Sequence, residues 1–282
     1  MKTYLECFPC FLNQALKAAK IITDDEELIH FIMGKIGAML KDIPLHNTPP
    51  ETGELIYRTI SEHTGVSDPY QKIKEHNIAE AKQFLPYIKK KAAEFEDQLL
   101  FANKMAIAGN VIDLGVHSEF DIGKEIEINL KKEFKINNYK ELKDAVEKAK
   151  TILYLGDNAG EAVFDTLLMS NLPAKIYYAV RDLPIINDVT KEDAEAAGAA
   201  EFAEIISSGS RALGTILKKC NHNFCKLFKQ ADLIISKGQG NYEGLSSEKY
   251  PIFFLLKAKC QVIASDLDIP KDSIVLKKAE VE

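Results

Sequence analysis

Four short segments of this 282-residue chain concentrate the residue types that do chemistry. They are Gly156-Asp157-Asn158-Ala159-Gly160-Glu161, Arg181-Asp182-Leu183-Pro184-Ile185-Ile186-Asn187-Asp188, Ser207-Ser208-Gly209-Ser210-Arg211 and Lys237-Gly238-Gln239-Gly240-Asn241-Tyr242-Glu243. Asp157, Asn158 and Asp188 offer hard oxygen donors of the kind that Mg2+, Mn2+ and similar ions take, with coordination positions left for water and substrate. Arg181 and Lys237 offer positive charge to an anion. The run Ser208-Gly209-Ser210, expected to lead into a helix, offers backbone amides that could cradle a phosphate. A divalent ion facing such a cradle is the equipment of phosphoryl transfer. Any one segment is also what an ordinary turn contains, and Asp188 is placed to cap a helix predicted to begin near Lys191. The nucleotide-binding pattern GxxxxGK[ST] is absent, and Gly238-Gln239-Gly240 opens like GxGxxG but lacks the third glycine.

The elements that must position these segments change character along the chain. Up to about residue 105 the apolar residues recur at helical spacing, as in Phe11, Leu12, Ala15, Leu16 and Ala19, and later from Ile73 to Ala102. Beyond about residue 138 short apolar runs alternate with helical stretches. Strands are predicted at 151–155, 175–180, 202–206, 233–236, 252–256, 262–263 and 274–276, with helices at 138–150, 161–170, 191–197, 212–219 and 223–229. The strand runs are nearly continuous in apolar character, as in strands covered on both faces. Repeated β-α alternation implies a mostly parallel sheet with helices on both sides, so all four segments would emerge at its carboxyl edge. The expected division is a helical part over 1–105 and an α/β part over 106–282.

Composition bounds the function. Acidic residues outnumber basic ones, 42 to 36, which gives no chain-wide basic balance for nucleic acid. No apolar run reaches membrane-spanning length. The start of the chain carries Glu6 and Cys7 where a secretion signal needs unbroken apolar residues, so a cytoplasmic location is expected. Only Arg58, Arg181 and Arg211 are arginine, which makes each more informative, because lysine cannot copy the guanidinium fork. Five cysteines are too few and odd in number for a disulfide framework. Cys7-Phe8-Pro9-Cys10 reads as half of a zinc site with Cys220 and Cys225, as a redox pair, or as two ordinary buried thiols; the last is favoured, since no strand precedes it. Cys225 and Cys260 are expected to be buried, and the six histidines to be structural or superficial.

In combination the four segments resemble the family long called domain of unknown function 89, whose members are described as damage-control phosphatases. The likeness extends to Asp68-Pro69-Tyr70 with Lys72, Lys74 and Asn77, and to Ala108-Gly109-Asn110-Val111-Ile112-Asp113. Cys7 and Cys10 look like the cysteine-bearing, mainly prokaryotic branch. The resemblance implies a helical N-terminal subdomain and a Rossmann-like, three-layer α/β/α domain acting as a metal-dependent phosphomonoesterase. It implies Asp157, Asn158 and Asp188 as metal ligands and Lys237 as the lysine on the phosphate side. Asn110, Glu161, Arg181, Asn241 and Glu243 fall in motifs that line the pocket. The implied substrates are small phosphorylated metabolites, damaged or off-pathway ones among them, and the pattern from Asp157 to Glu161 departs from the branch that takes sugar phosphates. The implied ion is Mg2+, Mn2+, Co2+ or Ni2+. The nucleophile is either water activated at the ion or the Asp157 carboxylate, with water favoured because a ligand carboxylate is partly occupied. Two rivals are a sensor that binds a phosphometabolite without cleaving it and a carboxyl methyltransferase, whose glycine-rich loop the run Gly156 to Gly160 and Asp182 mimic loosely.

Overall fold

The computed structural model describes residues 1–109 and 122–280, the side chains of 122–126 excepted. Helices α1 (Cys7–Ile22), α2 (Glu26–Leu40), α3 (Pro49–Thr64), α4 (Gln71–Ala92), α5 (Gln98–Ala108) and α6 (Ile122–Lys131) come first. There follow β1 (Ile136–Asn137), α7 (Tyr139–Lys148), β2 (Thr151–Leu155), α8 (Glu161–Met169), β3 (Lys175–Val180), α9 (Lys191–Ala197), β4 (Glu204–Ser207) and α10 (His222–Gln230). The chain continues through β5 (Leu233–Lys237), α11 (Gly238–Leu245), β6 (Ile252–Lys257), α12 (Gln261–Asp266) and β7 (Ile274–Lys278). Local chemistry sets several boundaries. The Asp25 carboxylate accepts the amides of Glu27 and Leu28 at 3.0 and 3.2 Å and so starts α2. Thr48 and Glu51 form a capping box on α3, with Pro49 in the first turn, where its missing N–H is harmless.

The strands form one sheet in the order β1-β7-β6-β5-β2-β3-β4, parallel except where β6 meets β7. Its strands bury alternate residues on opposite faces. Ile152, Tyr154, Ile235 and Phe253 join one core with α4, α5 and α8; Leu153, Leu155, Ile234 and Phe254 join another with α10, α11 and α12. Helices α1 to α3 share a cluster of their own around Phe11, Ile32, Ile36 and Ile56. The structure is thus a three-layer α/β/α arrangement around a mostly parallel sheet, with α4 and α5 in one of its helical layers and α1 to α3 in a separate cluster. From β2 the sheet grows one way through β3 and β4 and the other way through β5 and β6. That reversal between β2 and β5 is where open parallel sheets bind ligands.

Some expectations need correction. Residues 262–263 lie in α12, where Ile263 and Ala264 pack on the core; an apolar pair is too short to reveal its period. Residues 212–219 hold only a single 3-10 turn at Leu217–Lys219. Gly214 there has φ +96°, and a Cβ on it would stand 2.2 Å from the Gly240 carbonyl oxygen, so this backbone crosses α11 too closely to be helical. The segment after β5 forms a helix, α11, and the run 73–102 breaks into α4 and α5. The short edge strand β1 was not anticipated.

Candidate functional site at the carboxyl edge of the sheet

The loops after β2 and β3 are laced together by backbone bonds. Val189 N donates to Asp157 O at 2.8 Å and Ala159 N to Asn187 O at 2.9 Å, while Asn158 and Asp188 pair as an isolated antiparallel bridge. Asp157, Asn158 and Asp188 consequently line one cavity of ≈260 Å³. All three are buried, at 8%, 6% and 3% exposure. Thirty residues separate the first two from the third in sequence; parallel pairing of β2 with β3 places both loops on the same edge.

Each of these side chains is held by hydrogen bonds or by close packing. Arg181, itself buried, donates from Nε to Asp188 Oδ2 at 2.7 Å and from Nη2 to Asn241 Oδ1 at 3.2 Å. The Asn241 amide nitrogen donates to Gly156 O and Lys237 O, so Arg181 and Asn241 tie the ends of β2, β3 and β5 into one unit. The Asn158 amide nitrogen donates to Asp157 Oδ2 at 3.2 Å and to Glu161 Oε2 at 3.5 Å. Gly238 has φ +77°, and a Cβ there would lie 1.9 Å from Asp157 Oδ2. The Asp157 carboxylate therefore fills space that only glycine leaves.

Lys237 sits behind the cavity wall, fully buried. Its ammonium donates to Ala106 O at 2.8 Å, to Asp165 Oδ1 at 2.6 Å and to Glu161 Oε1, so its three N–H groups are aimed at protein acceptors. Asp165 also accepts the hydroxyls of Tyr154 and Tyr178 at 2.7 and 2.9 Å. Burial holds the Glu161 carboxyl above the usual range, against the pull of Lys237 and with help from the charges of Asp157 and Asp165. At Lys237 burial pulls the other way, but Asp165 and Glu161 outweigh it and hold its ammonium protonated.

The remaining anticipated residues divide. Glu243 lines the cavity; burial pushes its carboxyl up to about 7, although a hydrogen bond from Gln239 opposes the shift. Ser208 and Ser210 are buried away from the cavity and close local turns, Ser210 Oγ accepting Ala212 N at 3.1 Å. Gly209 packs on Asn221, and no helix follows the segment, so the expected helix N-terminal cradle is not formed there. Asn110 lies outside the described residues. The sequence reading missed the wall contributed by distant elements: Cys7 and Cys10 of α1, Pro49 and Pro50 of α3, and Cys260 before α12. The CxxC spacing was the one signal pointing to them.

The donor set, two carboxylates and a carboxamide oxygen on one cavity, fits a small divalent cation with hard-oxygen preference. No cluster of three His, Cys, Asp or Glu side chains arranged for a metal occurs among the described residues. No helix among the described residues is long and apolar enough to cross a membrane.

Residues 3–275 match the family described as damage-control phosphatase ARMT1-like domain. The chain is 38% identical over 283 residues to the damage-control phosphatase PH1575 of Pyrococcus horikoshii, covering 98% of this chain and 97% of that one. It is 35% identical over 290 residues to a damage-control phosphatase of Archaeoglobus fulgidus, covering 99% and 100%. The crystal structure of a DUF89 family protein from Pyrococcus horikoshii superposes with a TM-score of 0.92 at 36% identity, covering 99% of this chain and 100% of the other.

Proposed function

This chain belongs to the damage-control phosphatase ARMT1-like family, and from that premise we propose that it is a metal-dependent phosphatase of small phosphorylated metabolites. The observation that carries the reading is the convergence of Asp157, Asn158 and Asp188 on one cavity at the reversal point of the sheet. In this reading those three residues hold a divalent cation, Mg2+, Mn2+, Co2+ or Ni2+. When bound, the ion supplies charge neutralisation at a phosphoryl oxygen.

The chain's own residues do the rest. Arg181 fixes the Asp188 carboxylate through its Nε and is itself fixed by Asn241. Glu161 holds the Asn158 amide nitrogen, and Lys237 balances the charge of Glu161 and Asp165 beneath it. Lys237 and Arg181 thus act as positioning residues that offset part of the negative charge of the acids around the site. Glu243, with a carboxyl near 7, carries a proton on part of the molecules at neutral pH and is the wall residue suited to deliver it to a departing alkoxide. Water is the attacking group.

The test is phosphate release from a panel of phosphorylated metabolites by protein stripped with a chelator and reloaded with each ion. Turnover is expected only after reloading, and Asp157→Ala should lose both cation binding, read by calorimetry, and turnover. Asp188→Asn asks whether charge or only an oxygen is needed there. Undiminished hydrolysis in chelator, or a fully active Asp157→Ala variant, would refute the assignment. Trapping a phosphorylated Asp157 would move the attack from water to that carboxylate.

A further inference from the structure

Three of the five cysteines share the cavity that holds the candidate ligands. Cys7 and Cys10 face it from α1, and Cys260 faces it from the segment before α12. Cys10 is exposed, Cys7 and Cys260 are half-buried, and all are free thiols. Cys220 and Cys225 lie elsewhere, their sulfurs near the Ile216 and Leu217 carbonyls at 3.3 and 3.4 Å; the pairing with Cys7 and Cys10 that a four-cysteine zinc site needs is not formed. The expectation of two ordinary buried thiols is therefore replaced by a thiol-bearing wall.

Cys7 is the first residue of α1 and Cys10 the fourth. On a regular helix that spacing puts the two Cα atoms about 5 Å apart, inside the range of about 4.4–6.8 Å that a disulfide accepts. We propose that Cys7 and Cys10 form a reversible disulfide in the wall of the catalytic cavity, whose closure weakens substrate capture. For its activity readout the proposal rests on the phosphatase reading above; for its chemistry it does not.

The oxidant class is a hydroperoxide. The more exposed Cys10 loses its proton and its sulfur attacks the peroxide; the O–O bond breaks, one oxygen stays on sulfur as a sulfenic acid, and the other leaves as water or alcohol. The Cys7 thiolate then attacks that sulfur, the S–O bond breaks, and hydroxide departs to be protonated to water. Two thiols lose two electrons and two protons in total, and a dithiol reductant returns them.

The thiols and the site are joined by the cavity that they share. Gln14 Nε2 donates to Cys10 Sγ at 3.3 Å, a contact that rotation of the sulfur into a disulfide removes. Opposite, Gln239 Nε2 donates to Cys260 Sγ at 3.5 Å and to Glu243 Oε1 at 2.9 Å, and Gln239 belongs to α11, the helix whose first residue abuts Asp157. The thiol wall and the acid wall are therefore parts of one enclosure. Burial pushes the Cys7 and Cys10 thiols up, with smaller opposition from the Tyr4 backbone at Cys7 and from Gln14 at Cys10, so both hold their protons and react faster as pH rises.

The test uses the full chain. Reduced protein is treated with hydrogen peroxide, quenched, alkylated and digested with trypsin. Residues 3–17 form a single tryptic peptide containing both Cys7 and Cys10, whereas Cys260 lies in the separate peptide 260–271. The expected result is loss of two hydrogens in peptide 3–17 with no alkylation, full reversal by dithiothreitol, persistence in Cys260→Ser and absence in Cys10→Ser. With the metal-loaded enzyme, oxidation should lower kcat/KM about tenfold, mostly through KM, and Cys10→Ser should be insensitive to peroxide. Alkylatable thiols at both positions after oxidation overturn the proposal, as does a link joining peptide 3–17 to peptide 260–271, or an oxidised enzyme with unchanged kcat/KM. A reduced protein that releases phosphate with none of the ions overturns the phosphatase reading instead, and the peptide masses then decide the thiol pair alone.

Discussion

Gly238→Ala is the substitution whose outcome follows most directly from the geometry. The added Cβ would stand 1.9 Å from Asp157 Oδ2 and 2.1 Å from Asp157 Cγ. Restoring an ordinary 3.4 Å contact requires about 1.5 Å of movement between the start of α11 and the Asp157 carboxylate. Misplacement of a catalytic group by about 1 Å costs on the order of a hundredfold in rate. The variant should therefore lose at least about a hundredfold in kcat/KM and bind the activating cation more weakly. The backbone carries a separate cost. At φ +77° an alanine is disfavoured by about 1–2 kcal/mol, which lowers the melting temperature by only a few degrees. Gly198→Ala isolates that cost, because Gly198 has φ +92° and nothing within 4 Å of the added carbon. The assays are steady-state phosphate release, calorimetric cation titration and thermal unfolding of both variants beside the parent. Gly198→Ala should melt somewhat lower and keep its activity. If Gly238→Ala stays within threefold of the parent, or if Gly198→Ala loses activity equally, the reasoning that glycine makes room for the Asp157 carboxylate is wrong.

Three further outcomes are expected. Arg181→Lys keeps the charge but cannot reach both Asp188 and Asn241, so kcat/KM should fall at least about tenfold and stability by roughly 1–3 kcal/mol, read from urea unfolding. Lys74, buried between Asp68 Oδ2 at 2.9 Å and Asp193 Oδ2 at 2.7 Å, ties α4 to the capping box of α9 just beyond Asp188. Lys74→Met should cost about 3–5 kcal/mol by leaving those carboxylates unpaired, again read from the unfolding midpoint. Glu243, with its carboxyl at about 7, loses its proton as pH rises through neutrality and adds negative charge to the wall that receives a phosphate, so kcat/KM should decline across that range. Glu243→Gln should remove this limb from the pH profile. Because the folded protein binds that proton more tightly than the unfolded chain, the associated stability is complete below the ordinary glutamate range and is lost as pH rises to about 7; the glutamine variant should lack that slope.

Much of the scaffold was legible without coordinates. The apolar runs at 151–155, 175–180 and 233–236 are strands because nothing else of that length is apolar on both faces, and their alternation with helices left a parallel sheet as the consistent arrangement. That inference carried the ends of β2 and β3 to one edge, and with them Asp157, Asn158 and Asp188. The family resemblance came separately, from the motifs themselves, which are contiguous words in the sequence. The misreadings share one cause. Residues 212–219 and 262–263 are short, and their conformation is decided by neighbours: Gly214 crossing Gly240, and Ile263 seated on the second core.

What the chain determines by itself is which residues sit at the tips of its strands, because a two-residue period and the handedness of β-α-β connections are local rules. Which way a side chain faces at a tip is not local. Lys237 ends β5 and Asp157 follows the end of β2, yet one is drawn down to Glu161 and Asp165 while the other lines the cavity, and the choice depends on acids and tyrosines supplied by α8, β2 and β3. Cys7 and Cys260 meet across one enclosure although 253 positions separate them in the sequence. Burial free energy and paired charges are properties of the assembled interior, and only the tertiary structure specifies them.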